Sequence, residues 1–278
     1  MTKTILPFLA ILFLIACEKE SLTELLPEQG VDLITQDIVG TENLELNNSR
    51  WGFRVYPVFK ANHPIILDGL ENEWANTPKR KLLKELDLGS PIESELDLSS
   101  YFKILWDDDY LYVFVSVTDE EINLNGAEDY EKDGVEFYFD GDNSKNVAPG
   151  LPTSFPPPAY DSNDDFFRFF PYDTNVSGVW GIIDAANFDF EILITDKGYN
   201  VEIKIPFSDL PELSADVGSK FGFEFQVNDN DNDQRQNFLK WSSSLDNSYF
   251  DPSTFATAIL VNKRGRGGYP RGPFSARE

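Results

Sequence analysis

The stretch YFKILWDDDYLYVFVSVTD, residues 101–119, decides the fold. Leu111, Val113, Val115 and Val117 fall on one side and the residues between them on the other, the period of a strand rather than a helix. Asp107 to Asp109 supply a tight acidic turn, so the stretch reads as a hairpin whose valine face points inward. Further strand signals recur on either side, separated by turn residues. They are FRVYPVFKA (53–61), PIILDG (64–69), DGVEFYF (133–139), DDFFRFFPY (164–172), VWGIIDA (179–185), FDFEILITDKGYNVEIKIPF (188–207), KFGFEFQVND (220–229) and FATAILVN (255–262). A turn falls near Lys197 and Gly198, and the nearest thing to a helical pattern is PFSDLPEL (206–213). Many short strands at this spacing predict an all-β fold, a β-sandwich of two packed, mainly antiparallel sheets. The 23 Phe and 11 Tyr suit a thick core between two sheets, because each buried aromatic removes roughly 150–250 Å² from water.

The ends of the 278-residue chain read differently. MTKTILPFLAILFLIAC has a Lys, an apolar run from Ile5 to Ile15 and a small residue before Cys17, the pattern of a secretory signal (1–16) too short to span a bilayer comfortably. LIAC resembles the lipobox of bacterial lipoproteins, and Cys17 is the only cysteine of the chain, so lipidation at Cys17 is expected. The expected location is the outer membrane of a Gram-negative bacterium. Residues 17–50 are polar and acidic with weak periodicity, as in a tether. The domain is expected over 51–262, followed by a basic Gly- and Pro-rich tail, 263–278. The Pro-, Gly- and Ser-rich segment 141–164 reads as a long loop.

Composition excludes several functions. A net charge of −25 argues against nucleic acid, whose phosphates need clustered cations. One histidine, His63, beside a strand, leaves no multi-histidine zinc site and a poor start for a Ser-His-Asp triad. The only methionine is the initiator, which disfavours haem held by Met and His, and no nucleotide is expected. Among 48 acidic residues nothing singles out the paired carboxylates of a glycoside hydrolase. The chain is therefore expected not to be an enzyme.

Three apolar strands carry a polar residue where alternation aims it off the core: Glu136 in DGVEFYF, Arg168 in DFFRFFP and Gln226 in FGFEFQVND. If these strands are neighbours, an acceptor, a forked cation and an amide converge, the mixture that sugar hydroxyls need. The sequence resembles the family 9 carbohydrate-binding modules through IILDGLENEW (65–74), KILWDDDYLYVFVSVTD (103–119), YEKDGVEFYFD (130–140), YNVEIKIPFSDL (199–210), GFEFQVNDND (222–231) and WSSSLDNSYFDPSTFATAIL (241–260). The resemblance implies a β-sandwich that holds a glucose- or xylose-type sugar between two aromatic rings. It places the hydroxyl-reading groups at Glu136, Arg168 and Gln226, and the two rings, tryptophans in the family, at Tyr130 and Tyr249. Asp246 and Asn247 precede Tyr249 and join the expected site, whereas Phe170 stands where the family can place an Asn. The resemblance also implies structural calcium, with Asp68 and Asp119 in the motifs associated with it. NDNDND (228–233) begins like an EF-hand loop but fails as one, with Gln234 at the glycine position and Lys240 at that of the terminal Glu. Trp74, Trp106 and Trp241 lie in structural motifs and are expected in the core, while Trp51 and Trp180 stay undecided. Expected partners are a saccharide, the membrane through lipid on Cys17, and a neighbouring glycan-degrading enzyme or transporter. The alternative is a calcium-stiffened adhesion or protein-interaction module without sugar affinity.

Overall fold

The computed structural model describes residues 55–262 apart from Ser177. Cys17, Trp51, the expected signal, the tether and the tail lie outside the described residues. Twelve strands run in order β1 (Val55–Lys60), β2 (Arg80–Lys81), β3 (Lys84–Asp87), β4 (Leu98–Trp106), β5 (Tyr110–Asp119), β6 (Gly134–Asp140), β7 (Asp164–Phe169), β8 (Asp189–Thr195), β9 (Gly198–Pro206), β10 (Lys220–Asp229), β11 (Asn237–Lys240) and β12 (Ala256–Val261). Among the described residues the only helices are three single 3-10 turns, at Asp129–Glu131, Phe207–Asp209 and Pro252–Thr254.

The strands form two facing layers. One layer holds β3-β11-β10-β6-β7, and the other β4-β5-β9-β8 with β2 on the free part of β4. β12 and β1 join them, because β12 pairs with β10 on one side and with β1 on the other, and β1 continues to β4. The β1 pairings are parallel and every other ladder is antiparallel. The layers close on a phenylalanine core: the Phe102 ring on β4 lies 4.7 Å from Phe225 and 5.7 Å from Phe223 on β10. Each fully buried side chain of this size stabilises the fold by roughly 1.5–3 kcal/mol, so packing between the layers is the main stabilising term.

Leu111, Val113, Val115 and Val117 do face this core, each at most 2% exposed. The other face of β5 is buried too, since Tyr112 and Phe114 pack with Trp74 and Leu105 in a second cluster. Its lid is the segment 61–76, pinned by one carboxylate. Glu202 on β9 accepts from the Trp74 indole (2.6 Å) and from the amides of Asp68 (2.9 Å) and Gly69 (2.8 Å). PIILDG is thus an irregular cover and not the strand its sequence predicts; Ile65 packs on the second cluster without a ladder partner, while Ile66 faces outward, 59% exposed. VWGIIDA is likewise no strand. Gly178 makes a single bridge to Phe167, and the chain then bends because Asp165 accepts from the amides of Trp180, Ile182 and Ile183. The short β2, β3 and β11 carry too few residues to stand out in the sequence.

Candidate functional site

The outer face of the β7-β6-β10-β11 sheet carries a row of polar residues set by register. Arg168 lies opposite Glu136, Glu136 opposite Gln226, and Gln226 opposite Lys240, so four neighbouring strands present four polar groups side by side. Glu136 is the hub. Its Oε1 accepts from Arg168 Nε at 2.7 Å and from Asn228 Nδ2 at 3.3 Å, and its Oε2 accepts from the Tyr138 hydroxyl. The side chain is 2% exposed while that of Arg168 is 17% exposed, so the anion lies beneath and the guanidinium reaches the surface. Burial alone would raise the Glu136 pKa, but Arg168, Tyr138 and Arg235 outweigh it and hold the carboxyl below its ordinary value. Glu136 is therefore an ionised acceptor and a poor general acid. Beside it, Gln226 donates from Nε2 to Asn228 (2.7 Å), and its buried Oε1 has no partner among the described residues.

Tyr130, on the first 3-10 turn, is 43% exposed at one side of this floor. Tyr249 stands in the loop before β12, packed against the aromatic cluster of Tyr138, Tyr160, Phe166 and Phe255. Burial raises the Tyr249 pKa, Asp246 adds to the rise, Arg235 opposes it, and Tyr130 raises it slightly further. Gly134 keeps the near end of the floor low, since a Cβ there would meet the Phe170 ring at 2.9 Å. Asp246 and Asn247 join the site as parts of the loop: Asp246 pairs with Arg235 (2.9 Å), and Asn247 accepts from Ser243 Oγ (3.1 Å).

Sequence reasoning missed the residues that hold this loop. Glu224, fully buried, accepts from the amides of Trp241 (2.9 Å), Ser242 (2.8 Å) and Ser243 (2.7 Å). Lys240, also fully buried, donates to Leu245 O (2.8 Å) and to Ser248 Oγ. Glu224 was within reach, because it stands two residues before Gln226 on the same strand face. Lys240 and Arg235 carried no periodic signal.

A second polar cluster lies below the turn of Tyr130. Ligand atoms of Asp119, Asp133 and Asp229, all buried, fall within 4.8 Å of one another. Burial first, and then repulsion from nearby carboxylates (Asp231, Glu120 and Asp97 at Asp119; Asp119 and Asp229 at Asp133; Asp231, Asp119 and Asp97 at Asp229), push their pKa values up to about 7, 9 and 8 respectively. One oxygen of each has no hydrogen-bond partner among the described residues. Hard oxygen donors crowded together with unused lone pairs fit a calcium-type cation, which would neutralise them and tie β5, the Tyr130 turn and β10 together. Asp97, Glu120 and Asp231 form a second, more open group. Asp68 belongs to neither group; its carboxylate accepts from the Leu70 amide (2.9 Å).

A β-sandwich whose outer sheet face carries a row of polar groups, with partly exposed tyrosines on the adjoining turn and loop, suits a ligand-binding module. The model for "Carbohydrate family 9 binding domain-like" matches residues 67–263. The chain belongs to this carbohydrate-binding family, and is a binding module rather than an enzyme. It is 30% identical over 203 residues, 73% of its length, to endo-1,4-beta-xylanase A of Thermotoga maritima, and 35% identical over 162 residues, 58% of its length, to exoglucanase XynX of Acetivibrio thermocellus. These matches span only 17% and 13% of those two proteins. Among solved structures, a family 9 module of Caldicellulosiruptor kristjanssonii in complex with cellotriose is similar in fold, with a TM-score of 0.60 at 24% identity. The match covers 78% of this chain and all of that one. The same module in complex with glucose also has a TM-score of 0.60, over 77% of this chain.

Proposed function

We propose that the protein holds a glucose- or xylose-type saccharide between Tyr130 and Tyr249, with hydroxyls read by Glu136, Arg168 and Gln226. The observation that carries this is the row across three adjacent strands, in which an ionised acceptor, a forked donor and an amide stand side by side; Tyr130 and Tyr249, both partly exposed, lie on the adjoining turn and loop. The ring faces suit the C–H side of a pyranose, and the floor suits hydroxyls that both donate and accept. The names of the relatives, xylanases and an exoglucanase, favour this sugar class. Affinity should be modest, micromolar to millimolar, because a small wet site offers few buried contacts. Lipid on Cys17 would hold the module at the outer membrane of a Gram-negative cell, where it captures saccharide for a neighbouring enzyme or transporter.

Calorimetric titration with glucose, cellotriose and xylotriose tests the site. Tyr130→Ala and Tyr249→Ala should each weaken binding about tenfold or more, with melting temperature nearly unchanged, because both rings are partly exposed. If no saccharide on a glycan array binds the wild-type chain, the adhesion reading replaces this one; if both variants bind saccharide as well as it does, the sugar is held elsewhere than between these two rings.

The cation is proposed at Asp119, Asp133 and Asp229, where it would supply charge neutralisation to three strand ends. Millimolar calcium should raise the melting temperature by about 5 °C or more over the chelated protein. Asp229→Asn should remove most of that difference. An identical melting curve with and without chelator would mean that these carboxylates hold protons instead.

A further inference from the structure

Arg235 lies between the two walls of the groove and belongs to neither. Its Nη2 binds Asp246 Oδ2 at 2.9 Å, in the loop of Tyr249. Its guanidinium centre lies 5.4 Å from the Tyr130 ring and 4.4 Å from the Phe238 ring on the floor of the same face. Nη1 reaches Asn228 Oδ1 at 3.4 Å, and Asn228 in turn donates to Glu136. Nε is buried and has no partner among the described residues. One side chain thus touches the first wall, ties the second wall and contacts the floor, while its own side chain is only 11% exposed.

We infer that Arg235 is a positioning residue, a clasp that holds the Tyr249 loop in place relative to the Tyr130 turn for saccharide binding. The inference rests on the saccharide reading of this groove. Arg suits the task because a planar guanidinium stacks on a ring with its face while its edge donors bind a carboxylate; the ammonium of Lys does not do both. Without the clasp the Asp246 side of the loop keeps its anchors to Glu224 and Lys240, but its tip loses the tether to the opposite wall. Asp246, expected from the sequence to touch ligand, acts here through Arg235.

The test uses the full chain, with cellotriose as probe and amide hydrogen exchange over residues 244–250 as an independent readout. Arg235→Gln and Asp246→Asn should each weaken cellotriose binding about tenfold and speed exchange in the loop. The charge-swapped pair, Arg235→Asp with Asp246→Arg, should restore loop protection that either swap alone loses, which a general loss of packing would not produce. Unchanged loop exchange in Arg235→Gln, or faster exchange with unaltered affinity, would overturn the clasp. If the wild-type chain binds no saccharide, the functional reading fails, and the exchange and charge-swap arms still decide whether the clasp exists.

Discussion

Glu136→Ala should abolish measurable saccharide binding, at least a hundredfold loss, and lower the unfolding free energy by about 3–5 kcal/mol. The loss of binding follows from removing the one ionised acceptor of the floor, to which Arg168, Tyr138 and Asn228 all donate. The loss of stability has a separate cause. Arg168 would keep its charge in a largely buried position with no anion, and the hydroxyl of Tyr138, a buried residue, would lose its acceptor. The double variant Glu136→Ala with Arg168→Met separates the two effects: most of the stability should return, and binding should not. Chemical denaturation together with calorimetry measures both, and a double variant no more stable than Glu136→Ala would remove the ion pair from the account. The sign with pH is also fixed. The Glu136 pKa is lower in the fold than its ordinary value of about 4.3, so its stabilising contribution is present above that pH and fades as acid protonates the folded carboxylate.

Replacing Glu224 by Ala should be as damaging to the fold, about 3–5 kcal/mol, through a different mechanism. Glu224 acts through the loop: its two oxygens collect the amides that turn the chain out of β11 toward Tyr249. Those donors would lose their acceptor, and the nearby Lys240 ammonium would lose the carboxylate that offsets its burial. Because the loop carries Tyr249, saccharide affinity should fall together with stability. Glu224→Gln keeps one accepting oxygen and should retain the fold at a smaller loss, roughly 1–3 kcal/mol. A Glu224→Ala protein with wild-type melting temperature would show that the loop is held by other contacts.

Much of the architecture was legible because strand patterning is a local property. The alternation at 111–117 and the acidic turn before it define the β4-β5 hairpin without reference to any other residue, and the inward valines sit in the core as expected. Trp74, Trp106 and Trp241 also fall in packed positions, as their motifs implied. The same local logic failed for PIILDG and VWGIIDA, where Ile65, Ile182 and Ile183 pack against the sandwich while carboxylates from distant positions capture their amides or those beside them. Composition cannot separate an apolar segment that pairs from one that only covers.

The candidate site divides along the same line. By itself the sequence determined a polar set on the off-core face of alternating strands, Glu136, Arg168 and Gln226, because period-2 alternation dictates which face a residue occupies; Tyr130 and Tyr249, which lie on no strand, came from the family resemblance alone. Only the tertiary structure decided that these strands are neighbours in one register, that Arg235 reaches both the Tyr130 ring and Asp246 in the Tyr249 loop, and that Asp133 and Asp229, rather than Asp68, meet Asp119. Those facts depend on which strands pair and where loops return. They are fixed by burial of the whole phenylalanine core at once, a sum over contacts far apart in the chain that no short stretch of sequence contains.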